Sequence, residues 1–191
     1  MDKQNKTNIL PVFLLISAAA FTRLFPHYPN FTAIGAIAIF GGSVIKDKKY
    51  AFLLPLAALF ISDVCLHLFT SVKGFYGLNQ IFVYAAFMLI TALASFIKKA
   101  SLSNTIFASF WSGIIFFVIS NFGTWLADGV VYPRTLSGLG ACFIAAIPFY
   151  KNEFFGNFLL NSIYGNLFYS GCLFLIYNYI IKKAQGRSVV A

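Results

Sequence analysis

The sequence predicts an all-α polytopic membrane protein, organised as a single integral membrane domain over residues 1–191. Its residues are 60% hydrophobic and only 10% charged, whereas a soluble domain of this size needs more polar residues to cover its surface. The apolar residues come in long runs, and each run approaches the ~20 residues needed to cross the hydrocarbon core of a bilayer. No stretch is long and polar enough to form a separate extramembrane domain.

Six apolar segments predict transmembrane helices. Their boundaries are 9–25, 31–45, 50–71, 76–97, 104–126 and 154–182. We expect the first segment to be retained, because its apolar run is long for a signal peptide. Asn30 is expected to cap the start of the second helix, after Pro29. A short glycine-rich segment at 136–149 is predicted to be a re-entrant or interfacial piece.

The positive charges predict the orientation of these helices. With both termini in the cytoplasm, ten basic residues fall inside and four fall outside, a clear positive-inside asymmetry. The inside set is Lys3, Lys6, Lys46, Lys48, Lys49, Lys98, Lys99, Lys182, Lys183 and Arg187, and the outside set is Arg23, Lys73, Arg134 and Lys151. The net charge of +9 does not indicate a nucleic-acid partner, because the basic residues form short clusters between apolar runs.

In this topology most of the remaining polar side chains lie at the outer helix ends. Asp63 and His67 are four residues apart and share one helix face. A carboxylate within a span is costly unless it is paired or faces a polar cavity, so two interpretations remain open. In the first, Asp63 lines a ligand or ion cavity and His67 tunes its charge. In the second, Asp63 pairs with Arg23 or Arg134 and joins two helices.

Amide and aromatic side chains repeat the same spacing further along the chain. Asn121 beside Trp125 suits recognition of a ring with hydrogen-bonding edges, although Trp125 also fits an interfacial aromatic belt. Asn157 and Asn161 share a face, where packing between helices is the alternative role. Because these groups fall at one depth, we predict a binding site there. The predicted substrate-binding residues are Arg23, His27, Asn30, Asp63, His67, Asn121, Trp125, Arg134, Asn157 and Asn161.

No catalytic motif appears in the chain. GxSxG, HExxH, the Walker A motif and acidic metal clusters are all missing from the sequence, so we predict neither an enzyme nor a cofactor site. Transport driven by ATP would therefore need partner subunits. Cys65 points away from Asp63 and His67 on a helix, which argues against a Cys–His dyad. A metal-ligand role for Cys65 or His67 remains an alternative.

Two stretches, starting at "RLFPHYPNFTAIGAIAIFGG" and at "NFGTWLADGVVYPRT", resemble the DUF6580 family, a bacterial family of small membrane proteins described as candidate transport proteins. The resemblance extends from about Phe21 to Gly171. The matching motifs are Arg23-Leu24-Phe25-Pro26-His27, Pro29-Asn30-Phe31-Thr32, Phe40-Gly41-Gly42, Ser62-Asp63, Asn121-Phe122-Gly123 and Tyr132-Pro133-Arg134-Thr135. The resemblance implies a location in the bacterial cytoplasmic (inner) membrane.

That family is in turn similar, more distantly, to the substrate-binding S components of energy-coupling-factor (ECF) vitamin transporters. This similarity implies six helices, a vitamin or related nutrient bound near the outer face, and the 23–30 loop as a lid. It also implies a membrane coupling subunit and two ATPases as partners. In solitary cobalamin transporters of this type a cysteine can ligate cobalt, which makes Cys65 a candidate ligand.

Three functional hypotheses follow. The first is S-component-like uptake of a small molecule, with that substrate and membrane lipid as partners. The second is a non-transporting membrane scaffold or assembly factor whose polar residues only join helices. The third is a solitary cobalamin-type transporter with Cys65 as the metal ligand.

Overall fold

The structure, a computed structural model, describes residues 9–97, 101–127, 129–147 and 157–188. Of these residues, 79% are helical and none lies in a strand, which confirms the all-α prediction. The helices are α1 (Ile9–Phe21), α2 (Ile34–Val44), α3 (Lys48–Phe69), α4 (Leu78–Ala94), α5 (Leu102–Ala127), α6 (Leu136–Ala145) and α7 (Phe158–Ser188), and a 3₁₀ turn (Thr22–Leu24) follows α1.

Three of these helices are long and apolar enough to cross a membrane. They are α3, α5 and the Phe158–Ala184 part of α7, with mean hydropathies of 2.0, 1.7 and 1.3. Helices α1, α2, α4 and α6 are also apolar but shorter. The chain therefore has the helical character expected of a membrane protein.

The short helix α2 lies at the centre of the bundle. It packs against α1, α3, α4, α5 and α7, and every residue from Ile34 to Gly42 is buried. A helix that is apolar on all sides is stable only when other elements surround it. The close approach of α2 to α3 and α4 depends on glycine. A Cβ at Gly41 would lie 2.6 Å from Cγ of Pro55 on α3, and a Cβ at Gly42 would lie 2.4 Å from the Thr91 carbonyl oxygen on α4.

The predicted cap of α2 is wrong. The helix begins at Ile34 rather than at Phe31, and Ala33 occupies the N-cap position without a side-chain hydrogen bond. Asn30 instead adopts φ 63° in the preceding turn, a left-handed conformation that asparagine adopts more readily than most residues. Residues 31–33, which were predicted to begin the helix, therefore lie before it.

Polar caps set four other helix starts, including that of α6, where the Thr135 hydroxyl accepts from the Gly138 amide at 3.1 Å. The Asp47 side chain accepts from the Lys49 amide at 2.9 Å, the Ser101 hydroxyl accepts from the Asn104 amide at 3.2 Å, and the Asn157 side chain accepts from Leu160 at 3.0 Å. Each satisfies a backbone donor that would otherwise lack an intrahelical partner. Asn157 thus starts α7, and the predicted boundary at 154 lies outside the described residues.

The ends of α1, α3 and α5 and the starts of α4 and α7 meet at one end of the bundle, which we call the polar end. Helix α6 packs against α5 there. Its ten residues span about 15 Å at ~1.5 Å per residue, roughly half of the ~30 Å hydrocarbon core. Because α2 is nearly as short, this length alone does not decide whether α6 crosses, and the last residues of the predicted 136–149 piece lie outside the described ranges.

Candidate functional site

A buried ion pair is the first feature of the polar end. Asp63 is 0% exposed on α3, and its Oδ1 accepts from Nη1 of Arg23 at 2.6 Å. Its Oδ2 accepts from Nε2 of Gln80 at 2.7 Å and from the hydroxyl of Tyr84 at 2.8 Å. Both carboxylate oxygens are therefore satisfied by protein groups, as a buried charge requires, and Asp63 pairs with Arg23 as the second interpretation predicts.

The Arg23 guanidinium also donates to the hydroxyl of Ser62. That hydroxyl in turn donates to the Leu59 carbonyl at 2.8 Å. Because Arg23 lies in the turn after α1, the network joins the end of α1 to α3 and, through the Asp63 carboxylate, to α4. The network therefore holds three helices together.

His67 does not take part in this network. Its side chain is exposed and its ring lies edge-on to Phe75, at 5.8 Å between centroids. Among the described residues no ion pair joins His67 to Asp63. The first interpretation expected His67 to tune the charge of Asp63, but the two side chains form no ion pair through which it could do so.

The second feature is a cavity of about 310 Å³, which we call the polar-end cavity. It lies between α4, α5, the end of α6, the start of α7 and the loops beside them, and its volume is within the range of small-molecule sites. Its lining residues are Asn30, Tyr76, Asn79, Val83, Phe116, Ser120, Asn121, Thr124, Tyr132, Cys142, Ala145, Ala146 and Phe158. Most of these carry neutral hydrogen-bonding groups, and the rest are apolar.

A hydrogen-bonded chain forms one wall of this cavity. The Asn79 amide donates to the Thr124 hydroxyl at 2.9 Å, and this hydroxyl donates to the Ser120 carbonyl at 3.0 Å. Gly123 allows the contact, because a Cβ there would lie 2.5 Å from Oδ1 of Asn79 and from Phe82. Oδ1 of Asn79 is buried and accepts no hydrogen bond from any described residue. This oxygen is enclosed in the contact between α4 and α5.

The predicted residue Asn121 also lines the cavity. Its amide donates to the Phe117 carbonyl of its own helix at 2.7 Å. Its backbone carbonyl accepts from the Cys142 thiol at 3.5 Å, which holds α6 against α5. The second proton of the Asn121 amide remains available for other contacts.

Trp125 and Arg134, which the sequence predicts to bind substrate, are not among the lining residues of this cavity. The Trp125 indole donates to the Pro133 carbonyl at 3.0 Å, and the Arg134 guanidinium donates to the Leu126 carbonyl at 3.1 Å. These two bonds close the loop between α5 and α6. They position Tyr132, which is in this loop and does line the cavity.

The loop between α1 and α2 covers part of the same end, and we call residues 25–33 the α1–α2 loop. The amide of Asn161, which is fully buried on α7, donates to the Pro29 carbonyl at 2.9 Å. The Phe31 ring packs against Phe168 and Tyr169, at 6.0 and 5.9 Å between centroids. The loop is therefore attached to α7, and it contributes Asn30 to the cavity lining.

Three further predicted residues are not among the lining residues of the polar-end cavity. His27 is exposed, with its Nδ1 2.8 Å from the Phe25 carbonyl, and Asn157 serves as the cap of α7. Cys65 lines a separate cavity of about 240 Å³ between α1 and α3. Within the described ranges no group of three His, Cys, Asp or Glu side chains could hold a metal ion.

The prediction also missed residues that line the cavity. The site prediction did not include the following lining residues: Tyr76, Asn79, Ser120, Thr124, Tyr132 and Cys142. Ser120 and Thr124 share the four-residue spacing that drew attention to Asn121 and Trp125, so the pattern could have found them. The two tyrosines lie in loops and carry no periodic signal.

This arrangement defines an all-helical protein in which three helices could cross a membrane, with a buried ion pair and a polar cavity at one end of its bundle. Its sequence matches the family of unknown function DUF6580 over residues 3–188. The chain belongs to this family, which confirms the family resemblance. No curated protein and no solved structure matches it.

Proposed function

We propose that the protein is an S-component-like membrane uptake protein that binds a vitamin or related nutrient in the polar-end cavity. The observation that carries this proposal is the cavity itself. Its volume of about 310 Å³ and its mixture of amides, hydroxyls and aromatic rings are those of a small-molecule site rather than of a packed helix interface.

The proposed topology has six crossings, formed by α1, α2, α3, α4, α5 and α7, while α6 stays at the polar end. The polar end faces outward from the bacterial cytoplasmic membrane, and both termini are cytoplasmic. Support comes from the opposite end of the bundle, where Lys46, Lys48 and Lys49 cluster and Lys48 lies 3.5 Å from the Ser95 carbonyl. A lysine cluster favours the cytoplasmic side.

The α1–α2 loop is the proposed lid. It is held at its base by the Arg23–Asp63 pair and at Pro29 by Asn161. Release of the Pro29 carbonyl from Asn161 would let Asn30 leave the cavity wall and open a path for the ligand. Ligand contacts with Asn30 would then favour the closed state.

Energy for uptake would come from partner subunits, namely a membrane coupling subunit with two ATPases, as the resemblance to S components implies. The cobalamin hypothesis gains no support from the described geometry, because Cys65 opens into the α1–α3 cavity rather than into the polar-end cavity.

Uptake can be tested without knowing the substrate. Cells that express the protein are grown in defined medium and compared, by untargeted mass spectrometry of the medium, with cells expressing Ser120→Phe, which fills the polar-end cavity. Ser17→Phe, which fills the α1–α3 cavity, is the matched control. We expect the wild type and Ser17→Phe to deplete one nutrient that Ser120→Phe leaves in the medium. Equal depletion by all three strains would contradict the proposal.

A membrane scaffold is the second candidate, and the Arg23–Asp63 network favours it. The Asp63 carboxylate in that network is satisfied by protein groups alone and needs no ligand. A scaffold predicts that Ser120→Phe leaves both nutrient depletion and the set of co-purifying proteins unchanged, while Asp63→Ala loses those proteins through unfolding.

A further inference from the structure

We infer that a groove on the side of the bundle holds an acyl chain of an anionic phospholipid, whose phosphate lies against Lys48. The groove lies between α2, α4 and α5, towards the end of the bundle opposite the polar end, and we call it the lateral groove. Its volume is about 380 Å³, larger than that of the polar-end cavity. The inference goes beyond the proposed uptake function, because it requires only that the bundle lies in a bilayer.

The first observation is the shape of the lateral groove, which has a buried floor and an exposed rim. The floor consists of buried apolar residues of α2 and α4, namely Ile39, Ile90 and Ala94. The rim consists of exposed apolar residues of α4 and α5, namely Leu93, Phe107 and Trp111. In a bilayer an exposed apolar rim faces the hydrocarbon core, where acyl chains are the occupants at hand.

The second observation is the chemistry of the groove wall. Most of the described lining residues have hydrocarbon side chains, and the Ser112 hydroxyl among them is already engaged. It donates to the Ser109 carbonyl at 3.0 Å and accepts from the Asn166 amide at 2.7 Å. A hydrocarbon chain therefore gives up no hydrogen bond when it enters the groove, whereas a polar group would lose its hydration.

The third observation is the position of Lys48 at one end of the groove. Its Nζ lies 3.5 Å from the Ser95 carbonyl oxygen, and Ser95 stands between the lining residues Ala94 and Ile97 in the sequence. Lys48 is the first residue of α3 and is exposed. An ammonium group has three donors, so the same group can also donate to a phosphate at the mouth of the groove.

The charge around Lys48 favours an anionic headgroup. Lys46 and Lys49 lie beside it, and Asp47, whose carboxylate caps α3, leaves these four residues with a net charge of +2. Residues 98–100, which lie outside the described ranges, are two lysines and an alanine and so add no acid to the sequence here. Basic clusters beside grooves between membrane helices attract anionic lipid headgroups.

The test uses a tryptophan at the rim of the groove as the reporter. Trp111 and Trp125 are the two tryptophans of the chain, so Trp125→Phe leaves Trp111 as the sole indole. The purified full-length Trp125→Phe protein is placed in phosphatidylcholine bilayers that contain a low, fixed fraction of a brominated lipid, either phosphatidylglycerol or phosphatidylcholine. Bromine on an acyl chain quenches tryptophan fluorescence on contact, so the two degrees of quenching give the preference of the groove for the anionic lipid.

We expect a preference for phosphatidylglycerol of at least about fivefold, the factor that one lysine near the membrane surface supplies. Lys48→Gln should lower this preference about fivefold. Lys73→Gln, which removes the same charge from an exposed residue at the polar end, is the matched control and should keep it. Ala108→Phe fills the groove and should remove the preference although all the lysines remain. Melting temperatures show whether each variant keeps the fold, and the exposed Lys48→Gln keeps the test decisive if Ala108→Phe does not.

Each of the other outcomes overturns a stated part of the inference. Equal quenching by the two brominated lipids would overturn the anionic class. A preference that survives Lys48→Gln would overturn the role of this lysine, and one that survives Ala108→Phe would show attraction to the charged surface without a chain in the groove. These three results leave the uptake proposal untouched, since none concerns the polar-end cavity. Quenching by neither lipid would overturn the inference together with the proposed crossing of α5.

Discussion

Arg23 and Asp63 form an ion pair, 2.6 Å between Nη1 and Oδ1, that joins the turn after α1 to the buried face of α3. The same carboxylate accepts from Gln80 and Tyr84 of α4, whose neighbours Asn79 and Val83 line the polar-end cavity. The first turns of α4 therefore contact the ion pair on one face and line the cavity on the adjacent face. Damage to the pair should disturb the cavity without removing any lining residue.

Asp63→Ala should destabilise the protein by about 2–4 kcal/mol, because it leaves the largely buried Arg23 guanidinium, which is 12% exposed, without its counterion. The free energy of unfolding is measured in detergent micelles. Arg134→Ala, which removes an exposed cation that only donates to a backbone carbonyl, is the control and should cost no more than about 1 kcal/mol. The double variant Arg23→Ala with Asp63→Ala should be less destabilised than the sum of the two single variants. Full additivity would show that the pair is not coupled.

Gly123→Ala should destabilise the contact between α4 and α5. The new Cβ would lie 2.5 Å from Oδ1 of Asn79 and from Phe82, so one of them must move, at a cost of about 1–3 kcal/mol. Gly171→Ala is the matched control, because nothing lies within 4 Å of its Cβ position. In that variant the higher helix propensity of alanine should be neutral or stabilising by up to ~1 kcal/mol. Equal melting temperatures for the two variants would contradict the close contact of α4 with Gly123.

Asn161→Ala should loosen the α1–α2 loop, because the Pro29 carbonyl loses its hydrogen bond to α7. Hydrogen exchange of peptides covering residues 25–33, followed by mass spectrometry, should become several-fold faster. Asn157→Ala removes only the cap of α7 and should cost about 1 kcal/mol without altering exchange in the loop. Unchanged exchange in Asn161→Ala would contradict the attachment of the proposed lid at this residue.

The proposed orientation predicts which cysteines a membrane-impermeant maleimide can reach in intact cells. In a background with Cys65, Cys142 and Cys172 replaced by serine, Tyr28→Cys in the exposed α1–α2 loop should react. Lys48→Cys, at the opposite end, should react only after the membrane is permeabilised. The reverse pattern would place the polar end in the cytoplasm, and equal labelling of both would argue against a spanning arrangement.

The helical class and most helix positions could be predicted because long apolar runs leave few alternatives. The observed helix starts differ from the predicted ones where the preceding residue adopts a positive φ. Helix α2 starts late because Asn30 turns the chain with a positive φ, and α4 starts at Leu78 because Gly77 does so before it. The central place of α2 could not be predicted, since an apolar run does not reveal that five other helices surround it.

The site was predicted only in part, because spacing along one helix does not reveal what lies opposite. Asp63 and His67 share the predicted spacing, yet Arg23 and two residues of α4 approach only the carboxylate. Trp125 and Arg134 have the expected chemistry for ligand recognition, but they donate to the backbone carbonyls of Pro133 and Leu126. Asn30 and Asn121 do line the cavity, whereas Tyr76 and Tyr132 enter it from loops whose course the sequence pattern does not specify.

The central claim is that the polar-end cavity binds a small molecule, and native mass spectrometry of protein gently extracted from its membrane tests it most directly. The wild type and Ser17→Phe should each carry one additional small mass that dissociates on activation, and Ser120→Phe should lack it. If all three proteins show the bare chain mass, or if the additional mass persists in Ser120→Phe, the polar-end cavity is not the binding site.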